Sequence, residues 1–96
     1  MSSPALSSVS ATVNICNARG LHARASAKFV KLASTFESEI TVARDGTTVD
    51  ARSIMCLLML GAGKGSDIVI QAEGLDAREA VDSLSDLVGC RFQEDE

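Results

Sequence analysis

Ninety-six residues, 46% apolar and 23% charged, with a formal net charge of −4, describe one ordinary globular domain around a single core. The acidic balance, with no basic cluster along the chain, argues against general nucleic-acid binding, and no stretch approaches the roughly 20 apolar residues of a membrane span. Cys16, Cys56 and Cys90 contain no Cys-x-x-Cys pair and have a single histidine beside them, so no metal site is expected and they read as reduced, mostly buried thiols of a cytoplasmic protein.

Residues 1–8 read as a loose tail, and Met1-Ser2-Ser3-Pro4-Ala5-Leu6-Ser7-Ser8 lacks the charged start and long apolar run of a signal peptide. The domain is expected over residues 9–92. Val9 to Cys16 alternates strictly, with Val9, Ala11, Val13 and Ile15 on one side and Ser10, Thr12 and Asn14 on the other, which predicts a strand with one wet face. Gly20-Leu21-His22-Ala23-Arg24-Ala25-Ser26 then carries a glycine turn into a helical pattern over Ala23 to Ser34. Ala25, Phe29, Leu32, Ala33 and Phe36 fall on its apolar side, opposite Lys28 and Lys31. His22, the only histidine, thus stands at a helix entrance, where unpaired amides and the positive dipole end favour an anion. An imidazole is a nucleophile that needs no separate base near neutral pH, and Arg24 lies two residues on.

Glu39 to Arg44 and Thr47 to Ala51 flank Asp45-Gly46, a strong hairpin signal, with Ile40, Val42, Val49 and Ala51 expected inward. Ser53 to Leu60 follows, with seven apolar residues in succession after the serine. A short apolar run is compatible with a buried strand, but Leu and Met favour a helix, Ser53 offers an N-cap and Gly61 a stop. So short an all-apolar helix cannot bury every side, so Ile54, Met55 or Leu58 should stand partly exposed beside the first helix, as a docking surface. Gly61-Ala62-Gly63-Lys64-Gly65-Ser66 is not a nucleotide-binding P-loop: Leu58 stands where the pattern needs glycine, and the loop leads from helix to strand. A strand over Asp67 to Glu73 and a helix over Ala77 to Val88 complete the domain, with Asp76 and Glu79 placed as a capping box. An acidic tail, residues 93–96, ends the chain.

The order β-α-β-β-α-β-α with one-sided strands predicts an α+β open-faced sandwich: a four-stranded antiparallel sheet covered on one face by three helices.

Gly20-Leu21-His22-Ala23-Arg24, followed by Ala51-Arg52-Ser53-Ile54-Met55, then Leu60-Gly61 and Lys64-Gly65, resembles the HPr family of bacterial phosphotransferase systems over roughly residues 9 to 90. Leu57-Leu58-Met59-Leu60 and the ending Phe92-Gln93-Glu94-Asp95-Glu96 are most similar to its nitrogen-related, NPr-like branch. The resemblance implies a phosphocarrier rather than a free-standing enzyme, monomeric and without a cofactor. His22 would accept a phosphoryl group on its pros nitrogen, Nδ1, from an enzyme I-type protein charged by phosphoenolpyruvate, and pass it to an EIIA-type protein. Arg24 would balance charge, and the amides of Ala23 and Arg24 would hold the phosphoryl oxygens. Ser53 matches the family's regulatory serine, the target of an HPr kinase/phosphorylase. The family usually carries proline where this chain has Ala25, a change that removes a backbone constraint but no reacting group, so transfer should survive. A sugar-transport carrier, or a binding module of the same fold that transfers nothing, are the alternatives.

Overall fold

The computed structural model describes residues 7–93, so the expected tails lie largely outside it; Ser7 and Ser8 begin the first strand and Gln93 closes the last turn. The elements are β1 (Ser7–Asn14), α1 (Ala23–Ala33), β2 (Glu39–Arg44), β3 (Thr47–Asp50), α2 (Ile54–Met59), β4 (Asp67–Gly74) and α3 (Ala77–Gly89). The sheet runs β1-β4-β2-β3, every pair antiparallel, with Ile70 opposite both Ala11 and Val42. This is the expected open-faced sandwich. Among the described residues, no helix is long and apolar enough to cross a membrane.

Period-two burial explains why these segments form one sheet. On the central strand β4, Ile68, Ile70 and Ala72 are fully buried, while Asp67, Val69, Gln71 and Glu73 face out. β2 buries Ile40 and Val42 on the same side. At the outer strand β1, Val9, Ala11 and Val13 are only half-buried, because no further strand lies beyond them to widen the core. Ile15 is fully buried but sits past the end of β1. Its backbone leaves the β4 ladder and bonds the glycine-rich loop instead, Ile15 N–H to Ser66 O at 2.8 Å and Gly65 N–H to Ile15 O at 2.7 Å.

The helices close the buried face with Phe29 and Ala33 from α1, Leu57 from α2, and Ala80, Val81, Leu84 and Val88 from α3. After α3 the chain makes a left-handed turn, with φ of 57°, 56° and 63° at Arg91, Phe92 and Gln93. Phe92 is driven fully into the core, and its carbonyl accepts from Lys28 Nζ at 2.7 Å. Lys28, expected to stay with solvent on the far side of α1, is therefore half-buried: its stem packs inward and its ammonium ties α1 to the end of the chain.

Two expectations need correction. Asp76 is the N-cap residue of α3 but makes no side-chain cap bond, so the capping box with Glu79 does not form. Its carboxylate turns to the segment before β2, accepting from Glu37 N–H at 2.9 Å, from Ser38 N–H at 3.0 Å and from the Ser38 hydroxyl. Those bonds, the Ser38 hydroxyl foremost, hold its pKa below the ordinary aspartate value. The three free cysteines are also less buried than composition suggested: Cys16 and Cys56 are half-buried and Cys90 is exposed. Cys16 lies beyond the end of β1, Cys56 within α2 beside the buried Leu57, and Cys90 at the C-cap of α3.

Candidate functional site

The segment between β1 and α1 is fixed by its own polar groups. Asn17, fully buried, donates from Nδ2 to Gly20 O at 2.9 Å, while Gly20 N–H donates to Asn17 O at 3.2 Å, closing a tight turn. Gly20 has φ +64°, and a Cβ there would lie 2.5 Å from Ala62 O and 2.7 Å from Gly63 Cα. Only glycine lets the two loops meet this closely. Leu21, buried, then donates its N–H to Ala62 O at 2.9 Å, so the residue before His22 is pinned from both sides.

His22 is itself the N-cap of α1. Its backbone is extended (φ −77°, ψ −176°), its carbonyl accepts from Ser26 N–H at 2.8 Å, and its Nδ1 accepts from Arg24 N–H at 3.2 Å. Histidine is not among the residues favoured at an N-cap, so the sequence did not announce this role. A neutral ring that accepts at Nδ1 carries its proton on Nε2. The Nδ1 lone pair therefore already points at the helix N-terminus, where amides and dipole favour negative charge. The first turn holds no acidic residue, whereas Lys31 lies in the last, so the helix is charged in the sense that leaves its N-terminus open to an anion. Ala23 and Arg24 are exposed, and the Arg24 guanidinium takes no acceptor among the described residues. Ala25, where the family usually has proline, is fully buried beneath them.

Ser53 caps α2 as expected, its Oγ accepting from Cys56 N–H at 3.2 Å. Gly61, at φ +64°, stops the helix, and Arg44 Nη1 donates to Leu60 O at 3.0 Å. Leu57 and Leu60 point inward. Ile54 and Leu58 stand 39% and 37% exposed, Met55 68% and Met59 79%. Met59 was not singled out from the sequence, although it follows Met55 by four residues and shares its helix face. The end of α2 runs directly into the loop that carries Ala62 and Gly63 against Gly20 and Leu21, the two residues before His22.

Charge is unevenly distributed along the chain. Residues 1–36 and 51–66 contain no aspartate or glutamate, yet carry Arg19, Arg24, Lys28, Lys31, Arg52 and Lys64. Of these, Arg19 and Arg24 flank His22 in the chain and Lys64 follows the loop that meets Gly20 and Leu21, whereas Lys31 lies in the last turn of α1, Lys28 reaches Phe92 and Arg52 reaches Phe36 and Ser38. All 13 acidic residues lie outside the two stretches.

A family model described as "PTS HPr component phosphorylation site" matches residues 9–89. The chain is 49% identical to phosphocarrier protein HPr of Cupriavidus necator over 82 residues, covering 85% of this chain and 92% of that protein. It is 44% identical to phosphocarrier protein NPr of Shewanella violacea, covering 85% and 90%. The crystal structure of HPr-C-His from Thermoanaerobacter tengcongensis superposes with a TM-score of 0.88 at 42% identity, covering 92% of this chain and 99% of that one.

Proposed function

The chain belongs to the HPr family of phosphotransferase-system phosphocarriers, and from that premise we propose that His22 is its phosphoryl acceptor, working in a regulatory, nitrogen-type system in the cytoplasm. Family membership implies an enzyme I-type donor and an EIIA-type acceptor in general terms. The observation that carries the assignment to His22 is its Nδ1 held at the N-terminus of α1.

In this reading the ring turns so that the Nδ1 lone pair leaves Arg24 N–H and attacks phosphorus as the bond between phosphorus and the donor protein breaks. The amides of Ala23 and Arg24 then donate to phosphoryl oxygens, and the Arg24 guanidinium offsets their charge. Each helix-end contact contributes on the order of 0.3–1 kcal/mol, enough to orient the group and little enough to let it leave. Mixing this protein with phosphoenolpyruvate and an enzyme I-type protein from the same cell should give acid-labile phosphate that His22→Ala abolishes. Persistent labelling of that variant with the same lability overturns the assignment, since the chain has no other histidine.

Partner docking falls to Ile54, Met55 and Leu58 together with Met59, the exposed apolar residues of α2. The carrier acts as a monomer. Ser53 is the candidate regulatory site: a phosphate there adds about −1.5 to −2 charge beside the docking face. Ser53→Asp should therefore slow labelling of His22 by the donor protein, and unchanged kinetics would count against regulation at this position. Incubation with an HPr kinase/phosphorylase and ATP tests whether Ser53 is a substrate. The similarity to an NPr favours the nitrogen-type reading, whereas similarity to several HPr proteins keeps sugar transport as the second one.

A further inference from the structure

We propose that Met55 and Met59 form a peroxide-sensitive pair through which oxidation reversibly weakens docking of the phosphoryl donor; this rests on α2 being the docking face. The two lie one turn apart on a single helix face, at 68% and 79% exposure. Ile54 and Leu58 flank them, and Leu57 and Leu60 anchor the helix beneath. Both thioethers are therefore open to a small oxidant, and neither supports the core. Oxidation here changes the surface without unfolding the domain, unlike oxidation of a buried methionine.

The chemistry requires only a hydroperoxide, with hydrogen peroxide as the simplest. A sulfur lone pair attacks one peroxide oxygen, the O–O bond breaks, and an S–O bond forms. Proton transfer to the departing hydroxide releases water, so sulfur loses two electrons and the peroxide gains them. The product is a strongly polar sulfoxide. On α2 it would stand between Ile54 and Leu58, in a patch with no charged residue from Ser53 to Leu60. A partner surface matched to apolar groups there must either bury that polar oxygen unpaired or keep water beside it. Sulfoxides are reduced enzymatically, so the change is reversible.

Treatment with hydrogen peroxide, followed by dithiothreitol to restore reversibly oxidised thiols, should add one oxygen each at Met55 and Met59 by peptide mass mapping. The carrier concentration for half-maximal phosphorylation by the enzyme I-type protein should rise about fivefold or more, by the cost of an unpaired polar group at an interface. Phosphorylation by phosphoramidate, a small donor that needs no docking, should be unchanged. The double variant Met55→Leu, Met59→Leu should resist the effect, and methionine sulfoxide reductase should reverse it in the wild type. Unaltered half-saturation in the doubly oxidised protein, or an equal rise in the double variant, overturns the inference. Met55→Asp separates the two levels. If it weakens donor docking while oxidation does not, only the redox inference fails; if neither does, α2 is not the docking face and both readings fall.

Discussion

Gly20 and His22 show how little of the chain fixes the position of the candidate nucleophile. Gly20 occupies φ +64°, with Ala62 O and Gly63 Cα where a side chain would begin. Gly20→Ala should cost about 2 kcal/mol or more, from left-handed strain plus the collision, measured by urea unfolding. The same variant should slow labelling of His22, because relief of the clash moves the loop. The Gly-Leu-His-Ala-Arg run was legible as a helix entrance from its pattern alone. The capping role of the imidazole was not, since it depends on a side-chain torsion that aims Nδ1 at Arg24 N–H. Asn17 was also missed: a buried asparagine that closes a turn looks in sequence like any loop polar residue.

Among the elements, the junction between α1 and β2 is held by charged groups on both sides. The Asp76 carboxylate takes the Glu37 and Ser38 amides and the Ser38 hydroxyl, while Arg52 Nη2 donates to Phe36 O at 2.7 Å and Ser38 O at 2.9 Å. A carboxylate with a depressed folded pKa contributes stability that is complete above its unfolded pKa, near ~3.9, and is lost as pH falls through the folded value. Asp76→Asn should lower Tm at neutral pH, and its gap from wild type should narrow as pH drops below about 4. A gap that stays constant across that range would show that the contribution is not ionic. Spacing suggested that Asp76 paired with Glu79, because local patterns contain only local partners; its real partners are 38 and 39 residues away. The strands, by contrast, were legible apart from their ends: alternation carries on to Ile15 after the β4 ladder stops at Asn14.

At the scale of the molecule, a net charge of −4 conceals an uneven distribution, since residues 1–36 carry no acid and Arg19 and Arg24 flank His22 in the chain. A donor protein that docks here through an acidic surface should need more carrier for half-maximal phosphorylation as salt rises, because screening sets in over about 10 Å at 0.1 M. Insensitivity to salt would leave the apolar α2 face as the whole of the interface. Sequence alone determined the element order, the one-sided sheet, the helix entrance at His22 and the short apolar α2, because periodicity, capping and turn chemistry act over a few residues. Only the tertiary structure decided that Phe92 folds back into the core with its carbonyl held by Lys28, that Asp76 bonds the segment before β2 rather than capping α3, and that the Ala62–Gly63 loop meets Gly20 and Leu21 beside His22. Those outcomes depend on contacts between segments far apart in the chain, whose formation is governed by how the core closes rather than by any local pattern.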